Sequence, residues 1–229
     1  MISLFKKNIP GYGFDAFGYP QRFRSAREAG CVRTPMPTDG LVFYAPLTNT
    51  AGFTVTGNPQ FTRIGNIPCM YFDGNTYLET TASGLPQGSE ARTASFWFRN
   101  SPDGWDKGMV GYGTYASHKM FTLGTESGRG FAIWGYSNDA FFDFHPSDET
   151  FYHVAAIYKP EGDVAYIYVN GEYWGDDSYS GVETTGTSIC IGSEPTGKNR
   201  FVGHLAAVRV YNRVLTEEEI KTLSGEFAL

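Results

Sequence analysis

The chain has 229 residues, of which 18% are charged and 16% aromatic, and it carries 28 glycines and a formal charge of -6. This length and composition suit one all-β domain built from short strands and tight turns, with few helices. The acidic balance argues against nucleic acid and anionic membrane surfaces as partners of the main body, because like charges repel.

Residues 1–38 are predicted to form an extended, basic, aromatic-rich arm. They contain six cations against two anions and show no sustained period of two or 3.6. A segment that cannot bury its own rings needs a surface to lie against, so we expect the arm to contact protein subunits of a larger assembly. The residues predicted to make this contact are Phe5, Lys6, Lys7, Tyr12, Phe14, Phe17, Arg22 and Arg24.

Two further features of the sequence concern membranes and cysteines. Lys6 and Lys7 interrupt the apolar start, so no run is long enough for a signal peptide or a membrane span, and no membrane insertion is expected. Cys31, Cys69 and Cys190 lie far apart and fit no zinc-ligand spacing. We interpret them as buried free thiols, with a Cys69–Cys190 bridge as the alternative, which would leave Cys31 free.

From Gly40 onward the sequence divides into short β-type runs that are separated by turn residues. Asp-Gly at 73–74 and Asn-Gly at 170–171 supply the positive φ that hairpins need. Strands are predicted at Leu41–Leu47, Cys69–Phe72, Thr93–Arg99, Lys119–Leu123, Phe131–Trp134, Phe151–Lys159, Val164–Val169, Ser188–Ile191 and Leu205–Tyr211. Residues 39–229 are therefore predicted to form an all-β, two-sheet antiparallel jelly-roll sandwich.

One short helix is predicted near the C-terminal end of the sequence. Thr216 and Glu219 have the spacing of a capping box, in which each side chain bonds the backbone of the other residue. The helix should run from Glu217 to about Leu223, with Ile220 and Leu223 facing inward.

Four segments resemble laminin-G-like domains of the concanavalin A-like lectin and glucanase superfamily, over roughly residues 40–226. They are Tyr71–Leu78, Thr93–Phe98, Tyr152–Ala155 continuing through Ile167–Gly171, and Gly203–Thr216. The resemblance implies two curved antiparallel sheets packed face to face, with a concave side that holds sugar in many relatives. The strand Val164–Val169 is apolar on both faces, so its second face should line a groove or meet a covering loop.

The chain departs from the family where many members hold calcium. An Asp that usually precedes the last Val-Arg-Ile-Tyr element is replaced here by Ala206 and Ala207. Asp73 is retained, but an Asp-Gly pair is ordinary turn chemistry. Because calcium needs several oxygen ligands, we expect no family-type calcium site and no cofactor.

The sequence offers little for catalysis. The Glu-x-Asp-x-x-Glu run of the superfamily's laminarinase-type hydrolases is absent, and Asp139 with Asp143 is the nearest approach to a carboxylate pair. We interpret these two as solvent-facing acids at strand ends. The histidines are scattered, and His153 is expected to pack beside its strand. An enzymatic role is therefore not predicted.

Sugar binding is better supported, because sugar faces stack on aromatic rings while short polar side chains bond the hydroxyls. Three stretches combine these residue types, although aromatic residues in sandwiches often serve packing. The candidate glycan-binding residues are Trp105, Trp134, Tyr136, Asn138, Asp139, Tyr173 and Trp174.

The function ranked first is that of a non-enzymatic structural or adhesion protein, anchored through its arm to a phage virion, as decoration or fibre, or to a bacterial surface structure. Its partners would be the subunits of that assembly and a cell-surface glycan. The location would be a virion or an extracellular surface. Two alternatives stay open: a polysaccharide-acting glycoside hydrolase or its carbohydrate-binding module, and a secreted lectin.

Overall fold

The computed structural model describes residues 34–227, together with the backbone of two short strands in the preceding segment. Those strands, β1 (Tyr12–Phe14) and β2 (Pro20–Arg22), pair antiparallel. They belong to a unit that spans Met1–Pro35, whereas Met36–Ala228 form the second unit. The side chains predicted to anchor the arm lie outside the described residues, and the anchoring stays a prediction.

The second unit contains fifteen strands, one α-helix and two 3-10 turns, Pro102–Gly104 and Pro195–Gly197. The strands are β3 (Leu41–Ala45), β4 (Thr54–Thr56), β5 (Gln60–Ile64), β6 (Ile67–Asp73), β7 (Tyr77–Thr81), β8 (Arg92–Asn100), β9 (Lys107–Gly113), β10 (Met120–Glu126), β11 (Gly130–Trp134), β12 (Ala140–Phe142), β13 (Phe151–Lys159), β14 (Val164–Val169), β15 (Glu172–Ser178), β16 (Ser188–Ile191) and β17 (Val202–Tyr211). The helix is α1 (Glu217–Ser224).

The strands form two antiparallel sheets, as the sequence predicts. One sheet has seven strands in the order β12-β11-β10-β9-β16-β7-β4. The other has eight, in the order β15-β14-β13-β8-β17-β6-β5, and β3 pairs with the second half of β17. A bulge in β17, where Ala207 has a φ of 51°, separates the part that pairs with β6 from the part that pairs with β3.

The core lies between the two sheets and follows the alternation of the strands. Phe96 and Phe98 of β8 pack inward from the eight-stranded sheet, and Phe131 and Ile133 of β11 do so from the seven-stranded sheet. All four side chains are fully buried. Intervening residues therefore point to the outer faces, which places Trp97 on one outer face and Trp134 on the other.

The outer face of the eight-stranded sheet is covered by α1. Ile220 and Leu223 pack there, and Tyr166 and Tyr168 of β14 join the same cluster. This explains why β14 is apolar on both faces, since the second face meets a covering helix. Beyond the helix, the ring of Phe227 lies 5.6 Å from that of Trp97.

The predicted helix and its cap are confirmed. The Thr216 hydroxyl accepts from the Glu219 backbone N–H, and a Glu219 carboxylate oxygen accepts from the Thr216 backbone N–H at 2.9 Å. Arg213 donates to both oxygens of the same carboxylate. These bonds fix the start of the helix against the end of β17.

The nine predicted strands are present, and the predictions for β13, β14 and β16 are correct at both ends. Strands β1, β2, β4, β5, β7, β9 and β15 were not predicted, and β12 was anticipated only through the two acids, Asp139 and Asp143, at its ends. Glycines at 108, 111 and 113 hide the β pattern of β9, and β15 is an edge strand that carries Asp176 and Asp177. Both compositions are unlike those of an ordinary buried strand.

Cys69 and Cys190 are buried free thiols, so the alternative of a bridge between them is wrong. Their neighbours explain why. Met70 and Phe72 on β6, like the isoleucines that flank Cys190 on β16, face the core. The two sulfur atoms therefore point to opposite outer faces of the sandwich. Cys31 lies outside the described residues.

Neither α1 nor any other helical segment within residues 34–227 has the length and hydrophobicity needed to cross a bilayer.

Candidate functional site

An open cavity of about 640 Å³ lies over the outer face of the seven-stranded sheet. Its floor comes from β10 and β11. Its walls come from the loops that join β8 to β9, β9 to β10, β10 to β11, β11 to β12 and β16 to β17. The residues that line it are Asp106, Tyr115, Met120, Glu126, Ser127, Trp134, Tyr136, Asp139, Glu194 and Asn199.

The floor is a small apolar cluster of Met120, Ala132 and Trp134, which is separate from the core. Gly124 makes room for the indole, because a Cβ at that position would lie 2.6 Å from the Trp134 ring. The indole N–H of Trp134 donates to Oε2 of Glu126 at 3.2 Å. The ring is thus fixed in the plane of the floor by one glycine and one hydrogen bond.

One wall is the loop that joins β11 to β12. The carboxylate of Asp139 accepts from the backbone N–H groups of Gly135, at 2.9 Å, and Tyr136, at 3.2 Å. Tyr136 has a φ of 62° and an exposed side chain. Its ring lies 5.0 Å from that of Tyr115, which belongs to the loop between β9 and β10. Two loops therefore present a pair of tyrosines beside the Trp134 floor.

The opposite wall is the loop that contains the 3-10 turn at 195–197. Glu194 is only 4% exposed, and its Oε1 accepts from Nδ2 of Asn199 at 2.7 Å. Burial raises the pKa of the Glu194 carboxyl, while the bond from Asn199 and the charge of Lys198 oppose the rise. The Lys198 ammonium lies 4.1 Å from the centre of the Tyr115 ring.

The third wall lies near the start of β9. Asp106 accepts from the backbone N–H of Ser127 at 2.8 Å. Glu126, which also holds Trp134, lies 3.7 Å from the guanidinium of Arg129. All four acids of the cavity therefore hold neighbouring loop or ring groups in place.

A buried hydroxyl lies on the same outer face of the sheet but does not line the cavity. Thr122 is on the same face of β10 as Met120, and it is the register partner of Trp134. Its Oγ1 is fully buried and has no hydrogen-bond partner in the part of the chain that the structure describes. Buried hydroxyls normally have a partner.

The structure brings together one of the three aromatic stretches that the sequence singles out. Trp134, Tyr136 and Asp139 line the cavity. Asn138 lies in the same loop, where its Nδ2 donates to the carbonyl of Ser180 at 3.0 Å.

The other two stretches lie elsewhere. Tyr173 and Trp174 are half-exposed on β15, the edge strand of the eight-stranded sheet. The Trp174 indole N–H donates to the carbonyl of Asp143 at 3.1 Å, and the Tyr173 hydroxyl bonds Asp176. Trp105 is partly buried, with its ring 6.2 Å from that of His145. None of these three aromatic residues lines the cavity.

Sequence reasoning missed Tyr115, Glu194 and Asn199. Tyr115 and Glu194 come from loops that are distant from residues 134–139 along the chain, and only the pairing of β9 with both β10 and β16 brings them together. If β9 had been predicted, the loop that follows it would have placed Tyr115 beside the Trp134 loop. The glycines of β9 concealed its strand pattern.

The acids and histidine considered for catalysis have structural partners. Asp139 and Asp143 flank β12, as predicted, and Asp143 bonds His145 at 3.0 Å with its side chain 98% exposed. His153 is fully buried, and its Nε2 lies 2.8 Å from Oγ of Ser95. Desolvation, followed by the charge of Arg209, lowers the pKa of His153 to about 3. It packs beside its strand, as expected.

No metal site is formed by the described residues. Within residues 34–227, no group of three or more His, Cys, Asp or Glu side chains is placed to hold one ion. Asp73 accepts from the backbone N–H groups of Asn75 and Thr76, which is the turn role expected of it. Although burial opposes the change, these hydrogen bonds lower the pKa of its carboxyl.

Solved structures with a similar fold include domain 4 of AbnA, a GH43 extracellular arabinanase from Geobacillus stearothermophilus, determined with arabinotriose. It is 15% identical, covers 80% of this chain and 98% of its own, and gives a TM-score of 0.65. The binding domain of Paraclostridial Mosquitocidal Protein 1 is also 15% identical, covers 82% of this chain and 52% of its own, and gives 0.59.

The receptor binding domain of botulinum neurotoxin mosaic serotype C/D is 12% identical, covers 81% of this chain and 50% of its own, and gives a TM-score of 0.62. The chain thus spans about half the length of the toxin binding domains it resembles. At these identities the likeness shows the fold alone. No curated protein sequence matches the chain significantly.

A family model for laminin-G-type domains, described as the concanavalin A-like lectin/glucanases superfamily, matches residues 72–221. The match extends from the end of β6 into α1. It includes every residue that lines the cavity and all strands of the two sheets except β3, β4, β5 and most of β6. The chain therefore belongs to the concanavalin A-like lectin and glucanase superfamily.

Proposed function

We propose that the chain is a non-catalytic carbohydrate-binding sandwich whose ligand occupies the cavity over the seven-stranded sheet. The observation that carries this proposal is the convergence of Trp134, Tyr115 and Tyr136 with carboxylate and amide acceptors around one open space. Aromatic rings supply flat apolar faces for sugar C–H groups, and the acceptors bond sugar hydroxyls.

The proposal fits the way in which the acidic residues are used. Asp106, Asp139 and Glu194 each accept hydrogen bonds that close a loop. Acids used in this way hold the shape of the cavity. The arabinanase domain of similar fold was solved with an oligosaccharide, arabinotriose, which adds support from a relative.

Direct binding tests the proposal. A glycan array should yield at least one oligosaccharide ligand, whose dissociation constant is then measured by isothermal titration calorimetry. Tyr136→Ala should weaken that binding at least about tenfold, because loss of a central aromatic contact costs about 2 kcal/mol and each 1.4 kcal/mol is tenfold. Tyr136 is suited to the test because its side chain is 43% exposed and serves no core packing.

Phe61→Ala is the matched control. Phe61 is also 43% exposed, but it lies on β5, at the far edge of the other sheet. Its loss should leave the dissociation constant unchanged. A blank array with folded protein, or equal losses for the two variants, would contradict the proposal.

Glycoside hydrolysis is the second candidate function, and one observation favours it. Glu194 is a buried cavity acid with a raised pKa, which is a property of general acids in glycosidases. Incubation with a panel of polysaccharides decides between the two. Release of reducing ends that is lost in Glu194→Gln or Asp139→Asn would establish hydrolysis and replace the first proposal.

We also propose that residues before Met36 anchor the sandwich to a larger assembly on a virion or another extracellular surface. The support is compositional: this segment is basic and aromatic, whereas the rest of the chain is acidic.

A chain that begins at Met36 is the best test of this anchor, because it keeps the contacts that the sandwich needs. Met36 packs with the cluster under α1, and the Pro37 carbonyl accepts from the Tyr211 hydroxyl. Sedimentation should show assembly of the full chain and a folded monomer after truncation. Equal sedimentation of both would refute the anchor.

A further inference from the structure

The charged residues that line the cavity are all acidic. Asp106, Glu126, Asp139 and Glu194 contribute to its walls, and within the described residues no lysine, arginine or histidine does so. Each carboxylate is held by a hydrogen bond from a neighbouring group, so the positions of the acids are set before any ligand arrives. The cavity therefore presents a preorganised negative field to its ligand.

Two cations flank the cavity and neutralise only part of this charge. The Lys198 ammonium lies on the Tyr115 ring, and the guanidinium of Arg129 lies 4.1 Å from the Phe141 ring and 3.7 Å from Glu126. Asp106 and Asp139 form no ion pair in the part of the chain that the structure describes. Net negative charge therefore remains at the two walls that carry Asp106 and Asp139.

The arrangement suits an organic cation better than a metal ion. The acids are spread around the cavity, and in residues 34–227 no three of them are placed to share one ion. A ligand that extends over the Trp134 floor can instead carry separate charges to separate walls. Because the Lys198 ammonium already lies on the Tyr115 ring, the positions open to a ligand cation are those near Asp106 and Asp139.

The cavity also has aromatic residues beside these acids. Tyr136 is exposed, and its ring lies 5.0 Å from that of Tyr115 above the Trp134 floor. The site thus combines aromatic surface with excess negative charge.

We infer that the cavity selects oligosaccharides that carry free amino groups over their N-acetylated or uronic-acid counterparts, an inference that rests on the proposed carbohydrate-binding function. Sugar rings stack on the exposed ring of Tyr136, beside the largely buried indole of Trp134, while ammonium groups approach Asp106 and Asp139. A uronate brings a carboxylate to the same positions, and like charges within a binding site oppose association.

Three oligomers of equal length test the inference with the full chain: a glucosamine oligomer, an N-acetylglucosamine oligomer and a galacturonic acid oligomer. Binding is measured by calorimetry at pH 5.5, above the ordinary pKa values of Asp and Glu. The glucosamine oligomer should bind at least tenfold more tightly than the N-acetylated one, and the galacturonic acid oligomer should not bind. The preference should shrink in 0.5 M salt, because salt screens the attraction.

Isosteric variants locate the charge. Asp106→Asn and Glu126→Gln keep an oxygen acceptor for Ser127 and Trp134, and each should reduce the preference for the amine severalfold. Glu161→Gln removes the same charge from the exposed turn between β13 and β14 and should leave the preference unchanged. Thermal melting of each variant confirms that it is folded.

The outcomes separate this inference from the function on which it rests. Equal binding of the glucosamine and N-acetylglucosamine oligomers overturns charge selection and leaves carbohydrate binding intact. Tighter binding of the galacturonic acid oligomer also overturns it. If folded protein binds none of the three and no neutral oligosaccharide on an array, both proposals fail.

Discussion

Ser95 and His153 form a buried hydrogen-bonded pair on the outer face of the eight-stranded sheet, with Ser95 Oγ 2.8 Å from His153 Nε2. Both residues are fully buried, and the His153 ring lies 5.5 Å from that of Trp97. Burial, together with the charge of Arg209, lowers the pKa of this imidazole to about 3. The folded chain therefore keeps a neutral histidine at pH values where an exposed one is protonated.

The first prediction is a loss of stability in mild acid. Below the unperturbed pKa of 6.5 the unfolded chain binds a proton at His153, whereas the folded chain does so only near pH 3. The contribution of His153 to the free energy of unfolding is thus fully present above pH 6.5 and decreases as the pH falls. Between pH 7 and pH 5 it should decrease by about 2 kcal/mol.

Melting of the His153→Gln variant checks this prediction. The difference in Tm between pH 7 and pH 5 should be several degrees smaller than in the unaltered chain. Part of the pH dependence of Tm should remain in this variant, because burial also lowers the pKa of His204, to about 4. The same substitution at His145, whose side chain is 48% exposed, is the control. If Tm depends on pH identically in the two variants, the loss of stability in acid does not come from His153.

A second prediction concerns the cap of α1. Thr216→Ala removes the hydroxyl that accepts from the Glu219 backbone, and it should lower the free energy of unfolding by about 1 kcal/mol. Denaturant unfolding measures the loss. Thr222→Ala in the same helix is the control, since its hydroxyl only bonds the carbonyl of Glu218 and alanine favours the helix. Comparable destabilisation of both variants would show that the cap is unimportant.

A third prediction concerns the floor of the cavity. In Gly124→Ala the new Cβ would lie 2.6 Å from the Trp134 ring and 2.3 Å from the Lys107 carbonyl, so the indole or the strand must move. We expect altered tryptophan fluorescence and at least tenfold weaker binding of any oligosaccharide ligand. Gly175→Ala on β15 meets nothing within 4 Å and should retain both properties. Unchanged fluorescence and binding in the Gly124 variant would argue against a fixed floor.

A fourth prediction concerns the two described thiols. Burial raises the pKa of both, that of Cys190 to about 11, and only the thiolate reacts quickly. In a Cys31→Ser chain, a thiol reagent should modify neither cysteine in the native state and both after denaturation. A protein mass lower by two hydrogens would indicate a disulfide and contradict the separation of the two sulfurs. Rapid modification of the native protein would contradict their burial.

Much of the fold could be predicted from sequence because the information is local. The alternation in Val164–Val169 and the capping box at Thr216 each depend on neighbours a few residues away. The candidate site is different. Trp134, Tyr136 and Asp139 could be identified since they share one loop, whereas Tyr115 and Glu194 meet them only through the order of the strands.

The surroundings of each tryptophan side chain were equally hard to predict from sequence. Trp134 and Trp174 occur in similar aromatic and acidic surroundings along the chain, yet one forms a cavity floor and the other lies on a sheet edge. The difference depends on which neighbouring loops rise above each ring. Local composition therefore indicated the chemistry of the site, and only the sheet topology decided where such a site is enclosed.

The packing of α1 and Phe227 on the eight-stranded sheet has a practical consequence for how the molecule can be attached to a support. Phe227 contacts Trp97, on the side of the sandwich opposite Trp134, so a tether joined after the helix leaves from the side away from the cavity. Immobilisation through that end should leave the tyrosine pair facing the solution, whereas coupling through lysines such as Lys198 would obstruct it.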